Sequence, residues 1–387
     1  MKKSLLALAA LGTFAGAAQA QSSVTLYGVV DANIEYVSNM SQSTPTTASV
    51  TNPFPGAAHN LVRLNSGGLS GSRWGLRGVE DLGSGLKALF VLESGFGIDD
   101  GKLQQGGRLF GRQAFVGLES SSFGRVTLGR QYTSMFDALA NFSPAGYATQ
   151  YEPVVFQLGS NFREDNTVKY TGVFGPVTAE AHWSFGVGTP SPWFANAATG
   201  EVPGQFRRDS AYGAAVSYAA GPFGATAAYD QYNPTLNAAG ATGSFKKAAF
   251  AGSYAFGPAK IMAGYRWGLN NGTDRKLMQD NLYWIGANYQ VTPALGLTLS
   301  YYYDDLMKLV VPPSQTGAQV NPKNPWQITF IADYNLSKRT DVYLTTAYTK
   351  NAGVNFDTSA IGFANAYFLG QGKDNQFAAG VGIRHKF

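Results

Sequence analysis

The chain has 387 residues, a formal net charge of +5 and no cysteine. Charged residues make up 14% of it, against about 25% in an ordinary soluble domain, whereas glycine, tyrosine and phenylalanine are abundant. The lack of cysteine excludes disulfides and thiolate metal sites. The positive charge is small and dispersed, which excludes the clustered basic face that binds nucleic acid.

Residues 1–20 have the pattern of a targeting segment. Lys2 and Lys3 precede a short apolar run at 4–17, and the small-x-small sequence AQA follows at 18–20. This order is typical of a secretory signal peptide. We therefore predict a signal peptide over residues 1–20 and one mature domain over residues 21–387.

The mature chain alternates apolar and polar residues with a period of two. No later run approaches the roughly 18–20 apolar residues of a membrane helix. In residues 24–36 the even positions are apolar and most odd positions are polar, and residues 295–304 and 326–336 repeat the pattern. A closed barrel is the other structure that satisfies every backbone group in a bilayer, and alternation separates its lipid face from its lumen.

Short and long connections alternate along the chain. The short ones fall at 80–85, 120–122, 175–176, 219–222, 256–258, 292–294 and 336–339, and the long ones near 37–61, 97–107, 133–162, 188–208, 233–245, 269–280, 306–325 and 351–375. Short turns at one end and long loops at the other are typical of outer-membrane barrels. The pattern predicts an all-β fold, a 16-stranded antiparallel transmembrane β-barrel.

The last predicted strand ends on an aromatic residue, Phe387. We interpret Phe387 as the signal by which the C-terminal strand engages the outer-membrane assembly machinery.

Several segments together resemble the trimeric porins of Gram-negative bacteria, especially those of β-proteobacteria. They are SVTLYGVVD at 23–31, SRWGLRGVEDLG at 72–83, GRQAFVGL at 111–118, VTLGRQ at 126–131, NTVKY at 166–170 and GIRHKF at 382–387. The resemblance covers essentially the whole mature chain. It implies a homotrimer in the outer membrane, in contact with lipid and lipopolysaccharide.

The resemblance also implies that the third long loop, from about residue 133 to 161, folds inward and narrows the pore. This loop is rich in aromatic residues, which favours packing inside a barrel. It lacks the acidic Pro-Glu-Phe-Gly tip of some relatives, and Tyr151-Glu152-Pro153 is only a loose counterpart.

The candidate functional residues are charges that would line the constriction, where low-dielectric walls focus the electric field. Arg73 and Arg77 share the lumen phase of one strand, and Arg163 shares that phase with Asp165 on another. By resemblance, Arg112 and Arg163 join Arg73 and Arg77 in a basic cluster. A wall charge without effect on selectivity is the alternative for each arginine.

The carboxylates expected to oppose the arginines are Asp137 and Glu152, both in the third long loop. The alternative for each is that it holds the loop in place. Tyr27 and Asp31 also fall on the lumen phase and are interpreted as solvated lining.

Arg130 falls in phase with Val126 and Leu128, which face outward. An arginine facing lipid costs roughly 2–4 kcal/mol at the middle of the bilayer. We therefore predict that Arg130 lies near a rim or contacts another subunit of the trimer.

No catalytic or metal-binding motif is recognisable. The three histidines, His59, His182 and His385, are far apart and have no metal-ligand or Ser-His-Asp spacing. We predict no enzymatic activity, no cofactor and no metal.

The predicted function is passive diffusion of small hydrophilic solutes and ions through a general porin with a weak preference for anions. A substrate-specific channel of the same fold is the main alternative. An enzyme built on a barrel and a secreted β-solenoid or adhesin are two others.

Overall fold

A computed structural model describes residues 23–42, 56–188, 200–237, 239–311, 317–357 and 367–387. The predicted signal segment, residues 1–20, lies outside these ranges. Within them, no helix is long and apolar enough to cross a bilayer.

The described residues form one antiparallel sheet of eighteen strand segments and two short α-helices. The strands are β1 (Ser23–Ser41), β2 (Ala58–Ser66), β3 (Arg73–Gly83), β4 (Leu86–Gly95), β5 (Gln113–Ser120), β6 (Gly124–Tyr132), β7 (Arg163–Phe174), β8 (Val177–Ser184), β9 (Ala211–Ala220), β10 (Phe223–Tyr232), β11 (Ser244–Phe256), β12 (Ala259–Asn271), β13 (Lys276–Gln290), β14 (Leu295–Val311), β15 (Ala318–Val320), β16 (Trp326–Asn335), β17 (Thr340–Lys350) and β18 (Asn375–Lys386). The helices are α1 (Ser134–Leu139) and α2 (Val154–Leu158), and the 3-10 turns are Ala140–Phe142 and Val354–Phe356.

The eighteen segments make a closed wall of sixteen strands. β2 and β3 both pair with β1, β2 with its second half and β3 with its first, so they form one interrupted strand. β15 and β16 lie along β14 in the same way. β18 pairs with β1 from Val29↔Lys386 to Val37↔Ala378 and closes the barrel. The predicted 16-stranded antiparallel barrel is confirmed.

The two faces of the wall follow the predicted alternation. In β1 the side chains of Asp31, Asn33 and Glu35 are buried on the inner face, whereas Ile34 between them is 64% exposed on the outer face. Alternation places apolar groups toward lipid and keeps polar groups inside the barrel, where they can be hydrogen-bonded.

All seven predicted short turns join adjacent strands. At the other end, the predicted long loop at 269–280 is mostly strand, because β12 and β13 extend to Asn271 and Lys276. The two strands continue to pair beyond the residues that alternate between apolar and polar. The ends of these strands therefore could not be located from the hydrophobic pattern.

Outward aromatic side chains gather near both ends of the strands. One row contains Tyr265, Tyr283 and Tyr303, and the related group Tyr301, Trp326 and Tyr348 lies at the same end. Beside the short turns, Phe223 packs against Tyr254. Two such aromatic girdles mark the membrane interfaces of a transmembrane barrel.

Candidate functional site

The third loop, residues 133–162 between β6 and β7, begins at a capped helix. The Thr133 hydroxyl accepts a hydrogen bond from Phe136 N and so caps α1. α1 packs against β8, β9 and β10. The stacked rings of Tyr132 and Phe136, with centroids 3.9 Å apart, join the end of β6 to this helix.

The rest of the third loop is bonded to the inner faces of other strands. Trp284 Nε1 of β13 donates to Phe142 O at 2.8 Å, and Gln327 Nε2 of β16 donates to Tyr151 O at 3.0 Å. The Tyr151 hydroxyl donates to Glu35 of β1 at 2.9 Å. The loop therefore contacts strands from β8 round to β1.

Three of the predicted arginines converge on one tyrosine and one glutamate. Arg112 donates from Nε to Glu93 Oε1 at 2.7 Å and from an Nη to the Tyr132 hydroxyl at 2.9 Å. Arg163 donates to the same hydroxyl at 3.4 Å. Arg73 Nε lies 3.6 Å from Glu93 Oε2. We call these five residues the arginine cluster.

The arginine cluster contains three guanidinium groups and one carboxylate. Among the described residues, no carboxylate lies within ion-pair distance of Arg163, and its guanidinium instead lies over the rings of Tyr132 and Phe162, 5.0 and 4.6 Å from their centroids. Such cation–π contacts stabilise a cation without cancelling its charge. The cluster therefore carries an excess of positive charge.

Arg77 lies outside the arginine cluster. Its side chain is exposed on the same face of β3 as Arg73, and its guanidinium lies over the Tyr27 ring, 5.4 Å from the centroid. Tyr27 is more than solvated lining, because its hydroxyl donates to Glu93 at 3.0 Å.

Asp137 does not face the arginine cluster directly. It is on α1 and forms an ion pair with Lys169 of β7, which also donates to Tyr132 O at 3.2 Å. The Asp137 side chain remains 40% exposed. The ion pair with Lys169 therefore connects α1 to the barrel wall and partly offsets the charge of Asp137.

Glu152 is not a lumen-facing charge, in contrast to the prediction. Its carboxylate is only 2% exposed and accepts hydrogen bonds from the Ser143 hydroxyl, the Tyr302 hydroxyl and Ala148 N. Burial raises the pKa of this carboxyl above its usual range. Glu152 is enclosed by donors from its own loop and from β14. This arrangement agrees with the alternative interpretation, in which Glu152 holds the loop in place.

Arg130 is paired within its own chain. It donates to Gly111 O at 2.8 Å and to Asp165 Oδ1 at 2.6 Å. Asp165 does not share the inner face with Thr167, because a bulge between β6 and β7 shifts the register before that residue. The predicted subunit contact is therefore not needed to solvate Arg130.

Glu93 and Tyr132 were not predicted from the sequence. Glu93 lies on β4, where apolar residues occupy both faces (LKALFVLESG), so its phase could not be recognised. Tyr132 ends β6 directly before the capping Thr133, where a strand pattern gives way to a helix start. The change from a strand pattern to a helix cap was the sequence feature that could have identified Tyr132 as the residue between the wall and the loop.

Phe387 completes the seam between β18 and β1. Its backbone exchanges two hydrogen bonds with Gly28, at 3.0 and 3.1 Å. Its ring covers Gly28 so closely that a Cβ there would collide with it. Glycine at this position leaves room for the terminal aromatic ring.

The fold and the order of the strands agree with the comparisons to known proteins. A family model described as Gram-negative porin matches residues 7–354. The chain is a Gram-negative porin. It is 32% identical to an outer membrane porin protein of Bordetella pertussis and 32% identical to outer membrane porin protein 32 of Delftia acidovorans, in each case over the full length of both chains.

Solved structures of porins have the same architecture. The anion-selective porin from Comamonas acidovorans superposes with a TM-score of 0.73 at 26% identity, over 95% of this chain and 100% of that one. OmpT of Vibrio cholerae in its trimer form is similar in fold, with a TM-score of 0.62 at 15% identity over 95% and 99% of the two chains. This porin is therefore a β-barrel of the outer membrane that forms a general diffusion channel, and its family and fold are those of channels.

Proposed function

We propose that the third loop folds into the barrel and narrows this channel, and that the arginine cluster gives the constriction a weak preference for anions. Hydrogen bonds between the loop and inner-face side chains of β1, β13 and β16 support the loop's position. The observation that carries the selectivity is the excess of guanidinium groups over carboxylates around Tyr132. A relative of similar fold is named an anion-selective porin.

The mechanism requires no covalent chemistry. The barrel wall is a low-dielectric medium that concentrates the field of the uncompensated guanidinium groups in the lumen. A small anion exchanges part of its hydration for this positive potential, and a cation is repelled. The solute's own concentration gradient drives passage, and the width beside the third loop sets the size limit.

Reversal potentials in planar bilayers under a KCl gradient test the proposal. Neutralising Arg73 and Arg112 with Arg73→Gln and Arg112→Gln should shift the reversal potential toward cations. The control is Arg125→Gln, beside a short turn, where Arg125 is 3.9 Å from Glu119 and remote from the cluster.

An unchanged reversal potential in the double variant would contradict the role of the cluster. Small conductance steps that one class of solute blocks would instead identify a substrate-specific channel.

We further propose that this porin is a homotrimer whose subunits meet through the aliphatic sector, the outer faces of β1–β6 and the neighbouring β18. Among the described residues, every large apolar side chain exposed on β1–β6 is aliphatic except Tyr36. Val381, Ile34 and Leu64 lie side by side in paired strands and are 62%, 64% and 56% exposed. On β9–β14 the exposed apolar residues are largely aromatic, which suits a lipid interface.

The other proposed partners bind the outer surface and the C-terminal strand. The aromatic girdles would contact membrane lipid and lipopolysaccharide. Residues 1–20 would direct export as a signal peptide, and the outer-membrane assembly machinery would then recognise Phe387 at the seam. The proposed solutes are small hydrophilic molecules and ions.

A further inference from the structure

We propose that Glu164, His182 and Asp230 form a binding site for one divalent metal ion of the Zn²⁺ type at the base of the third loop. These residues belong to β7, β8 and β10, and all three side chains are almost completely buried. Their ligand atoms all lie within 4.8 Å of one another. The site is distinct from the arginine cluster and is not needed for diffusion as such.

The distances from the histidine nitrogen to the two carboxylate oxygens are close to those around a tetrahedral ion. His182 Nε2 lies 3.3 Å from Glu164 Oε2 and 3.7 Å from Asp230 Oδ2. Bonds of about 2.0–2.2 Å at tetrahedral angles place neighbouring ligand atoms roughly 3.3–3.6 Å apart. One nitrogen and two carboxylate oxygens leave the fourth position for water.

The same three atoms lack hydrogen-bond partners. Glu164 Oε2, His182 Nε2 and Asp230 Oδ2 are each buried without one. The two oxygens approach Nε2 to 3.3 and 3.7 Å without a hydrogen bond to it. Three unpaired polar atoms that converge on one point are expensive to bury unless a cation binds them.

The other atoms of the three residues are held by an outer shell. Asn161 donates to Glu164 Oε1 at 2.8 Å and to Asp230 Oδ1 at 3.0 Å, and Lys247 Nζ lies 3.1 Å from Asp230 Oδ1. Each carboxylate thus has one oxygen that is held and one that is unpaired. Outer-shell bonds of this kind orient metal ligands.

Ser134 completes the outer shell at the histidine. Its Oγ lies 2.9 Å from His182 Nδ1, and its backbone N–H donates to the same atom at 3.2 Å. A metal at Nε2 would move the ring proton to Nδ1, where the Ser134 hydroxyl would accept it and the Ser134 N–H would give up its bond to this atom.

The site joins both ends of the third loop to the wall. Ser134, at the start of the loop, contacts His182, and Asn161, at its end, contacts Glu164 and Asp230. A bound ion would therefore fix the loop where it enters and leaves the wall. Because these two residues cover the buried ligands, the ion would be taken up as the chain folds.

Metal content after folding tests the site. The full chain is folded into detergent with Zn²⁺, passed over gel filtration and measured for zinc by mass spectrometry. We expect about one Zn²⁺ per protomer. His182→Gln and Glu164→Gln should each lower the affinity at least about 100-fold, the upper end of what loss of an outer-shell partner costs.

His385→Gln is the matched control, because His385 is also a strand histidine but has an exposed contact, to Thr340 Oγ1. This variant should keep the zinc. Co²⁺ in place of Zn²⁺ should give the visible absorption of a four-coordinate ion in the unaltered chain, which reads out the site without any variant.

Two results would overturn the proposal. One is that the folded, unaltered chain retains no zinc and shows no cobalt spectrum, which would mean that a proton on His182 fills the space between the carboxylates. The other is equal zinc retention in His182→Gln, Glu164→Gln and the control. Selectivity measured on the same samples would be unaffected by either result, so failure here is distinct from failure of the arginine cluster.

Discussion

At the scale of single residues, Glu93 sets the net charge of the arginine cluster. It is buried and receives Arg112, the Tyr27 hydroxyl and the more distant Arg73. A charge-assisted contact of this kind orients the arginine side chains as well as offsetting their charge. Glu93 therefore both lowers the net charge of the cluster and holds its geometry.

Replacing Glu93 with glutamine should increase anion preference. Glu93→Gln removes the one carboxylate of the arginine cluster and keeps the shape of the side chain, so its reversal potential should move opposite to that of Arg73→Gln. Asp341→Asn is the control, since Asp341 pairs with Arg384 on the far side of the seam. A shift of Glu93→Gln toward cations would contradict the assigned charge balance.

At the scale of elements, the third loop is held by buried polar anchors at several points. Glu152 accepts from both Ser143 within the loop and Tyr302 of β14. Removal of the carboxylate leaves these donors buried and unpaired, at about 1–3 kcal/mol each. The loop's conformation is therefore coupled to the protonation of this one side chain.

Acidification should favour the docked loop through Glu152. Burial raises the pKa of this carboxyl in the docked loop above the ordinary glutamate value of about 4.3. The docked state thus binds the proton more tightly, and this contribution is fully present below the ordinary pKa and lost as the pH rises through the raised one. Transient closures in single-channel recordings should become rarer as the pH falls.

Glu152→Gln separates this effect from other titrations, because glutamine keeps the side-chain shape but does not titrate. We compare how the closure rate depends on pH in the unaltered chain and in Glu152→Gln. The difference between the two is assigned to Glu152. Identical pH profiles for the two proteins, or closures that become more frequent on acidification in the unaltered chain alone, would refute it.

At the scale of the whole molecule, the barrel has two kinds of outer surface. The aliphatic sector offers contact area with few of the amphipathic rings that suit a membrane interface, and the opposite wall offers many of those rings. A subunit with this asymmetry can bury one sector against neighbours and leave the other in lipid.

A polar substitution in the aliphatic sector should weaken the trimer. Val62 is 69% exposed on β2 and Val216 is 52% exposed on β9. Val62→Gln should lower the temperature at which the proposed trimer dissociates, because it would introduce an amide into the proposed subunit contact. Val216→Gln, which adds the same group to the lipid-facing wall, should leave that temperature unchanged. Equal effects would place the contact elsewhere.

The wall could be predicted from the sequence because its signals are local. Period-two alternation assigned the inner face of β1, and turn residues at short intervals set sixteen strands. Arg73 could be chosen as a candidate because of its lumen phase, and Arg112 because of the family resemblance. The same local pattern could not show that Arg77 lies outside the cluster, since its phase is the same as that of Arg73.

What only the tertiary structure decided depends on residues that are distant in sequence. The burial of Glu152 requires Tyr302 from β14, and the bulge beside Thr167 moves Asp165 off the inner face. His182 meets its two carboxylates only because β7, β8 and β10 line the same side of the barrel. Alternation determines which face a side chain is on. The closure of the barrel and the path of the loop determine which other side chains it meets there.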